Sequence, residues 1–443
     1  MSPVQTFLFG LRLLFRTGFK TNHMQEKLPT QVYSEIGELE GVIVHTPGPE
    51  VENMTPENAE RALYSDILNL SVASKEFNQL KGVLEKITHT FEVTDLLSDV
   101  LKNEKVKENL LDKICQYEAA DCIKPYLLSL GEKELSRQLI EGVPNQVKNL
   151  TSFLSKERYA LRPLHNFFYT RDAAISVYDS VFIGKMKSSV RLRESLIMEA
   201  IFDFHPIFET KTINPHNLSS EASKISIEGG DIVVARHDIL LVGIGPRTSS
   251  QGVDFILDQL KDKNEHQHIV VQELPESPES FIHLDMVFTM LDMDKCMIYD
   301  PVILKMNKYQ TVHIYTAGGK VKVIREEENL PTALRNLGMD LKPVFCGGSG
   351  DPWFQEREQW HSGANFFAVG PGRVIGYARN AKTIEELHKN GMEVLKASDV
   401  IKGKVNLSEY DKYVITMDGS ELPRGGGGAR CMTMPVRRKH VHW

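Results

Sequence analysis

One segment of this chain is written more than once. Asp172-Ala-Ala-Ile-Ser-Val-Tyr-Asp179-Ser-Val-Phe-Ile-Gly184 aligns without a gap on Asp231-Ile-Val-Val-Ala-Arg-His-Asp238-Ile-Leu-Leu-Val-Gly243, matching both acids and the glycine. Each copy reads as an apolar strand, a polar turn at Tyr178-Asp179 or His237-Asp238, and a second apolar strand, which is the pattern of a β-hairpin. A basic residue and a helical pattern follow: Arg191 before Glu194-Ser-Leu-Ile-Met, and Arg247 before Val253-Asp-Phe-Ile-Leu. Weaker copies begin at Asp285 and Asn365, the latter followed by Arg379 and the helical Thr383-Ile-Glu-Glu-Leu-His. The starts are 231−172 = 59, 285−231 = 54 and 365−285 = 80 residues apart. A hairpin and helix repeated in this way predict an α/β fold in which one supersecondary unit recurs around a shared axis. Polar residues at matching hairpin mouths then converge on one cleft.

The remaining features narrow the class. With 443 residues and 41% hydrophobic content, the chain buries a substantial core, read as one large domain with an insertion. A net charge of −7 without a long basic run argues against nucleic acid. Five dispersed cysteines without a CxxC pair point to reduced thiols and an intracellular, cytoplasmic protein. No apolar run approaches the ~20 residues that span a membrane. The segment Met1 to Met24 carries Arg12, Arg16 and Lys20 on one helical face and no acid, the pattern of a short presequence for a mitochondrion-like organelle. Residues 1–28 are therefore set apart as an extension from the main domain over 29–443.

Along the chain, Gly41-Val-Ile-Val-His45 reads as a buried strand closed by Thr46-Pro-Gly-Pro49, a divergent first hairpin unit. Ser74 to Ile87 has helical spacing. From about residue 96 to 155 several helical stripes run without a strand, which predicts an all-helical insertion serving as a lid or oligomer contact. Thr311–Tyr315 and Lys320–Ile324 flank Ala317-Gly-Gly319 as another hairpin. Near the end, four consecutive glycines to Gly428 beside Cys431 indicate backbone packed closely against a ligand or strand.

The cleft gathers Asp172, Glu228, Asp231, His283 and Asp285, with Cys431 on its glycine loop. Several carboxylates together repel unless a cation lies among them, and a planar guanidinium fits two carboxylates bidentately. Cys431 and His283 supply a nucleophile and an acid/base; attack needs the thiolate of a group whose free pKa is near ~8.5. The same His283, Asp285, Glu228 and Asp172 offer metal ligands, although one histidine among oxygens is thin for zinc.

At this point the residues resemble a family. Asn166-Phe-Phe-Tyr-Thr170-Arg171-Asp172, Glu228-Gly-Gly-Asp231, His283-Leu-Asp285, Arg357-Glu-Gln-Trp360, Gly363-Ala-Asn365 and Ala429-Arg430-Cys431-Met-Thr-Met-Pro435 are similar to arginine deiminase, as is the opening Ser34-Glu-Ile-Gly-Glu-Leu-Glu-Gly-Val-Ile-Val-His45. The resemblance implies the pentein fold: five ββαβ-type modules about a pseudo-fivefold axis, with a helical bundle inserted after the first, here 96–155. It implies hydrolysis of L-arginine to citrulline and ammonia, without metal or organic cofactor, in a homo-oligomer (dimer or tetramer). In that scheme Asp172 and Asp285 clamp the guanidinium, Glu228 binds it and orients His283, Cys431 attacks, and His283 moves protons. Asn166, Tyr169, Arg191, Arg247 and Arg424 are the expected substrate-binding residues. The chain departs from the family in carrying Tyr169 for Phe, and Gly426 where some members have an arginine, with Arg424 and Arg430 close by. Two alternatives stay open: a non-catalytic arginine-binding pentein, and a relative acting on agmatine or methylarginine.

Overall fold

The structure, a computed structural model, describes residues 27–55, 64, 66–146, 150–154, 157–217 and 224–443. The segment 1–24 read as a presequence lies outside the described residues. Ala174–Val177 and Ser180–Ile183 pair antiparallel, the helix Leu192–Phe204 follows, and Lys211–Ile213 returns parallel to the second strand. Every residue of the two hairpin strands is buried, so they read as continuous apolar runs rather than as alternating ones.

Three further units keep this order. Ile232–Arg236 and Ile239–Ile244 lead through the helix Ser250–Leu260 to His266–Glu273. Phe288–Asp292 and Lys295–Ile298 lead through the helix Leu330–Asn336 to Lys342–Phe345. Phe367–Gly370 pairs with Arg373–Tyr377, which pairs parallel with Tyr413–Met417, and Glu393–Lys396 lies outside that strand. The hairpin expected near residue 315 is present as Thr311–Ala317 and Lys320–Glu327. It extends the sheet of the neighbouring unit beside His266–Glu273 rather than its own.

The fifth unit corrects the expectation for Gly41 to His45. Thr46 to Pro49 does not turn into a second strand; it leads to the short helix Pro49–Glu52. The antiparallel partner of Leu39–Val44 is Met434–Arg438, from the other end of the chain, and the helix Leu70–Ile87 returns to His89–Glu92, parallel to Leu39–Val44. Segments separated by nearly the whole sequence thus complete one ββαβ unit, which fixes the glycine loop and Cys431 ahead of its first strand.

Helices Val93–Val100, Glu104–Glu118, Lys124–Ser129, Glu132–Glu141 and Leu150–Leu154 occupy the stretch read as helical stripes. Asn103 caps the second of them, its side chain accepting from the Lys105 and Val106 N–H groups. The apolar faces of the first four share a core with Phe167, Ile197 and Ile201. Where no strand was expected, Val143–Pro144 pairs with Tyr159–Leu161. Among the described residues no helix is long and apolar enough to cross a membrane.

Candidate active site

Five side chains stand one to three residues ahead of the first strand of a unit, since 174−172 = 2, 232−231 = 1, 288−285 = 3, 367−365 = 2 and 434−431 = 3. They are Asp172, Asp231, Asp285, Asn365 and Cys431, all buried. Glu228 and His283 lie just upstream of two of these mouths and are buried as well. The repeat therefore does at the level of side chains what its alignment implied.

The Cys431 Sγ lies 3.7 Å from Asp285 Oδ2 and accepts from Asn365 Nδ2 at 3.2 Å. Across the site, His283 Nε2 meets Glu228 Oε2 at 3.0 Å, and its Nδ1 lies 3.8 Å from Asp172 Oδ1. Room for that ring depends on Gly230: a Cβ there would fall 2.4 Å from His283 Nδ1. Asp231 accepts from the Leu284 N–H at 2.9 Å, so it holds the backbone that carries His283 and Asp285.

Two buried arginines each bridge two acids. Arg191 Nη1 donates to Asp172 Oδ2 at 2.7 Å and its Nη2 to Glu194 Oε2 at 2.8 Å. Arg430 Nη1 donates to Asp285 Oδ2 at 2.8 Å, while its Nε and Nη2 grip Glu35 at 2.9 and 3.2 Å. Both acids expected to clamp a guanidinium thus already accept a hydrogen bond from one. Burial disfavours imidazolium at His283, but Asp172, the hydrogen bond to Glu228 and the charge of Asp231 outweigh it and raise its pKa to about 9. Burial likewise opposes the Glu228 anion; the hydrogen bond from His283 and the charges of Arg247, His283 and Arg191 bring it down to about 2. Burial, then Asp285 and Asp172, push the Cys431 thiol well above its ordinary value. Burial also lifts Glu194 to about 7 against the pull of Arg191.

Among the described residues, Asp172, Glu228 and His283 also bring three ligand atoms within 4.8 Å of one another. Both ring nitrogens of His283 already face carboxylates, and the set has a single nitrogen donor where catalytic zinc sites commonly use two or three. The geometry suits an acid–base pair.

A model of the arginine deiminase family matches residues 60–438. An arginine deiminase of Bacillus cereus is 33% identical over 434 residues, covering 94% of this chain and 100% of that protein. Those of Oenococcus oeni and Borrelia garinii subsp. bavariensis are 30% and 31% identical over 436 and 429 residues, covering 94% and 93% of this chain and 99% and 98% of theirs. This chain belongs to the arginine deiminase family. Its members are hydrolases acting on the guanidino C–N bond. Among solved structures, SxtG, an amidinotransferase from Microseira wollei in the saxitoxin biosynthetic pathway, superposes with a TM-score of 0.51 at 14% identity over 94% of this chain and 98% of that one. The N-terminal domain of ArgZ, an arginine dihydrolase of cyanobacteria, gives 0.50 at 13% identity over 90% and 97%. At such identities the likeness establishes the mixed α/β pentein-type fold.

Measured against the expectation for an arginine deiminase, Asp172, Glu228, His283, Asp285 and Cys431 are brought together, with Asn166 and Tyr169 at the edge. The Asn166 and Tyr169 carbonyls accept from Arg191 Nη2 at 3.4 and 3.3 Å. Tyr169 lies under the glycine loop, where a Cβ on Gly427 would meet its ring at 2.5 Å. Arg247 reaches Glu228 at 3.8 Å. Arg424 does not join the cluster: 39% exposed in its side chain, it pairs with Asp66 and, at 2.9 Å, with Glu421. The buried cation of this loop is Arg430. Arg430 and Asn365 are the participants that sequence reasoning passed over. Asn365 opens the fourth repeat copy, in the register already used for the acids, whereas Arg430 adjoins Cys431 but holds no register position of its own.

Proposed function

We propose that this arginine deiminase family member hydrolyses L-arginine to L-citrulline and ammonia through a covalent intermediate on Cys431. The arriving guanidinium takes over the carboxylates of Asp172 and Asp285 and brings a positive charge beside the Cys431 sulfur, which favours loss of the thiol proton to solvent and formation of the thiolate. The Cys431 Sγ–carbon bond forms, and His283, protonated through neutral pH by its flanking acids, gives its proton to one guanidino nitrogen as the C–N bond breaks and ammonia leaves. Neutral His283 then takes a proton from water. The resulting hydroxyl adds to the amidino carbon, and the C–S bond breaks with its electrons returning to sulfur. As the citrulline carbonyl forms, the hydroxyl proton is lost to solvent, where it converts the ammonia already released to ammonium.

What supports this reading most is the arrangement itself: the sulfur 3.7 Å from one clamp acid, and the His283–Glu228 pair 3.8 Å from the other. Asn166, Arg191 and Arg247 are assigned to the substrate's α-carboxylate end, and Arg191 exchanges Asp172 for that carboxylate when the guanidinium displaces it. In the same reading the five units surround one pseudo-fivefold axis, and residues 29–443 form one catalytic domain interrupted by the helical insertion 96–155. The free cysteines suit a reducing, cytoplasmic setting.

A side-by-side assay of L-arginine, agmatine and methylarginines tests the substrate. L-Arginine yields citrulline and ammonia in equal amounts, and agmatine, lacking the carboxylate, turns over far more slowly. Equal turnover of agmatine rejects the assignment of Arg191 and Arg247.

A further inference from the structure

We infer that Asn365 is an obligate hydrogen-bond donor to the reacting sulfur, a working part of the site beyond the five acid, base and nucleophile residues. The inference rests on the Cys431 reading above. Asn365 is 1% exposed and opens the fourth repeat copy at the position that Asp172, Asp231 and Asp285 hold in theirs. Its Oδ1 accepts from the backbone N–H groups of Arg430 at 2.9 Å and Cys431 at 3.2 Å. Its Nδ2 donates to the Asp285 carbonyl at 3.1 Å and to Cys431 Sγ at 3.2 Å.

These four contacts settle which way the amide points. Two backbone donors face one atom and require an acceptor there, while a carbonyl oxygen faces the other and requires a donor; a flip would leave both N–H groups against an NH₂ and bury them unsatisfied. The sulfur is consequently presented with an N–H that cannot turn away. That matters because the surroundings otherwise oppose the thiolate: burial disfavours it, and Asp285 and Asp172 repel it. The Asn365 N–H, together with Arg430 and the Gly428 backbone, is what the protein sets against those acids before substrate arrives. The fit is close, since a Cβ on Gly428 would come within 2.6 Å of Asn365 Oδ1. The repeat explains the residue type. Carboxylates at the other mouths hold guanidinium groups or backbone, whereas the mouth beside the nucleophile carries the isosteric amide, which donates where a carboxylate would repel.

The test uses Asn365→Asp, which keeps shape and acceptor but replaces the donor, and Asn365→Ala. Alkylation of Cys431 by iodoacetamide without arginine is followed against pH by peptide mass spectrometry, with exposed Cys122 as internal reference. A hydrogen bond to a charged partner of ordinary strength predicts a Cys431 profile displaced to higher pH in both variants. At a fixed pH below the midpoint the rate is about ten- to hundredfold lower, more so for Asp, with Cys122 unchanged. The fall in kcat is of the same order, with KM for arginine little altered. Asn365→Asp that melts like wild type and keeps the wild-type alkylation profile and kcat overturns the inference. If neither variant folds, the side-chain NH₂ signals of Asn365 in the unsubstituted protein decide: a downfield shift on Cys431 ionisation, lost in Cys431→Ser, supports the bond, and no shift overturns it. Turnover surviving in Cys431→Ala instead removes the underlying reading, whatever Asn365 does.

Discussion

Replacing Arg430 by Met removes the one cation among the described residues that pairs with both Glu35 and Asp285. The side chain is fully buried and makes four bonds: to Glu35 at 2.9 and 3.2 Å, Asp285 at 2.8 Å and the Ile232 carbonyl at 2.7 Å. Met approximates its volume, so cavity formation is minor and the cost comes from stranded charge. Breaking a buried pair from one side costs about 3–5 kcal/mol. At roughly 2.1 cal/mol/K per residue, the 443 residues give an unfolding entropy near 0.9 kcal/mol/K, so Tm falls by about 3–5 °C. Adding Glu35→Gln recovers part of the loss because the stranded anion disappears, whereas Glu35→Gln alone destabilises. The double-mutant cycle measured by calorimetry returns that coupling. Arg424→Gln is the contrast: its partners are Asp66, 51% exposed in its side chain, and Glu421, and a surface pair of this kind contributes about 0–1 kcal/mol. Activity follows the same division, since Asp285 loses its anchor only in Arg430→Met. An Arg430→Met protein melting within a degree of wild type, or an Arg424→Gln protein losing as much, refutes the claim that Arg430 is the structural cation of the site.

Two other predictions follow from the geometry. Because the folded-state pKa of His283 is raised from 6.5 to about 9, its ion pairs contribute fully to stability below pH 6.5 and the contribution is lost as pH rises through 9; turnover at saturating arginine declines over the same alkaline range, and a flat rate to pH 10 rejects His283 as the acid. Gly428→Ala drives a methyl to within 2.6 Å of Asn365 Oδ1 and 2.9 Å of its backbone oxygen. Activity then drops at least tenfold, whereas Gly426→Ala, with φ of 87° but open space around its Cβ, costs about 1–2 kcal/mol of stability and leaves the cradle in place.

What the sequence discloses and conceals follows from how local each cue is. Two hairpins were legible because strands buried on both faces leave long apolar runs around a polar turn, as at Ala174–Ile183 and Ile232–Ile244. The pairing of Leu39–Val44 with Met434–Arg438 was not, since nothing within a single window announces a partner almost four hundred residues away. His89–Glu92 escaped notice because His-Thr-Phe-Glu has neither alternation nor an apolar run. The acids of the candidate site and Cys431 were legible from the repeat register together with the family motifs. Arg430 was obscured because an arginine beside a cysteine reads as surface until Glu35 and Asp285 are seen to enclose it, and Asn365 because an amide next to acids carries no charge signal of its own. The expected role of Arg424 rested on its nearness in sequence to Gly426, and the helical turn Leu422–Gly425 directs it outward instead.

The covalent role of Cys431 is tested most directly by rapid acid quench of the enzyme with L-arginine, followed by mass spectrometry of the peptide that contains Cys431. An amidino adduct on that sulfur, formed and lost at rates that match citrulline release and absent with Cys431→Ala, is the predicted outcome. Full turnover with no adduct at any time, or citrulline release undiminished in Cys431→Ala, contradicts it.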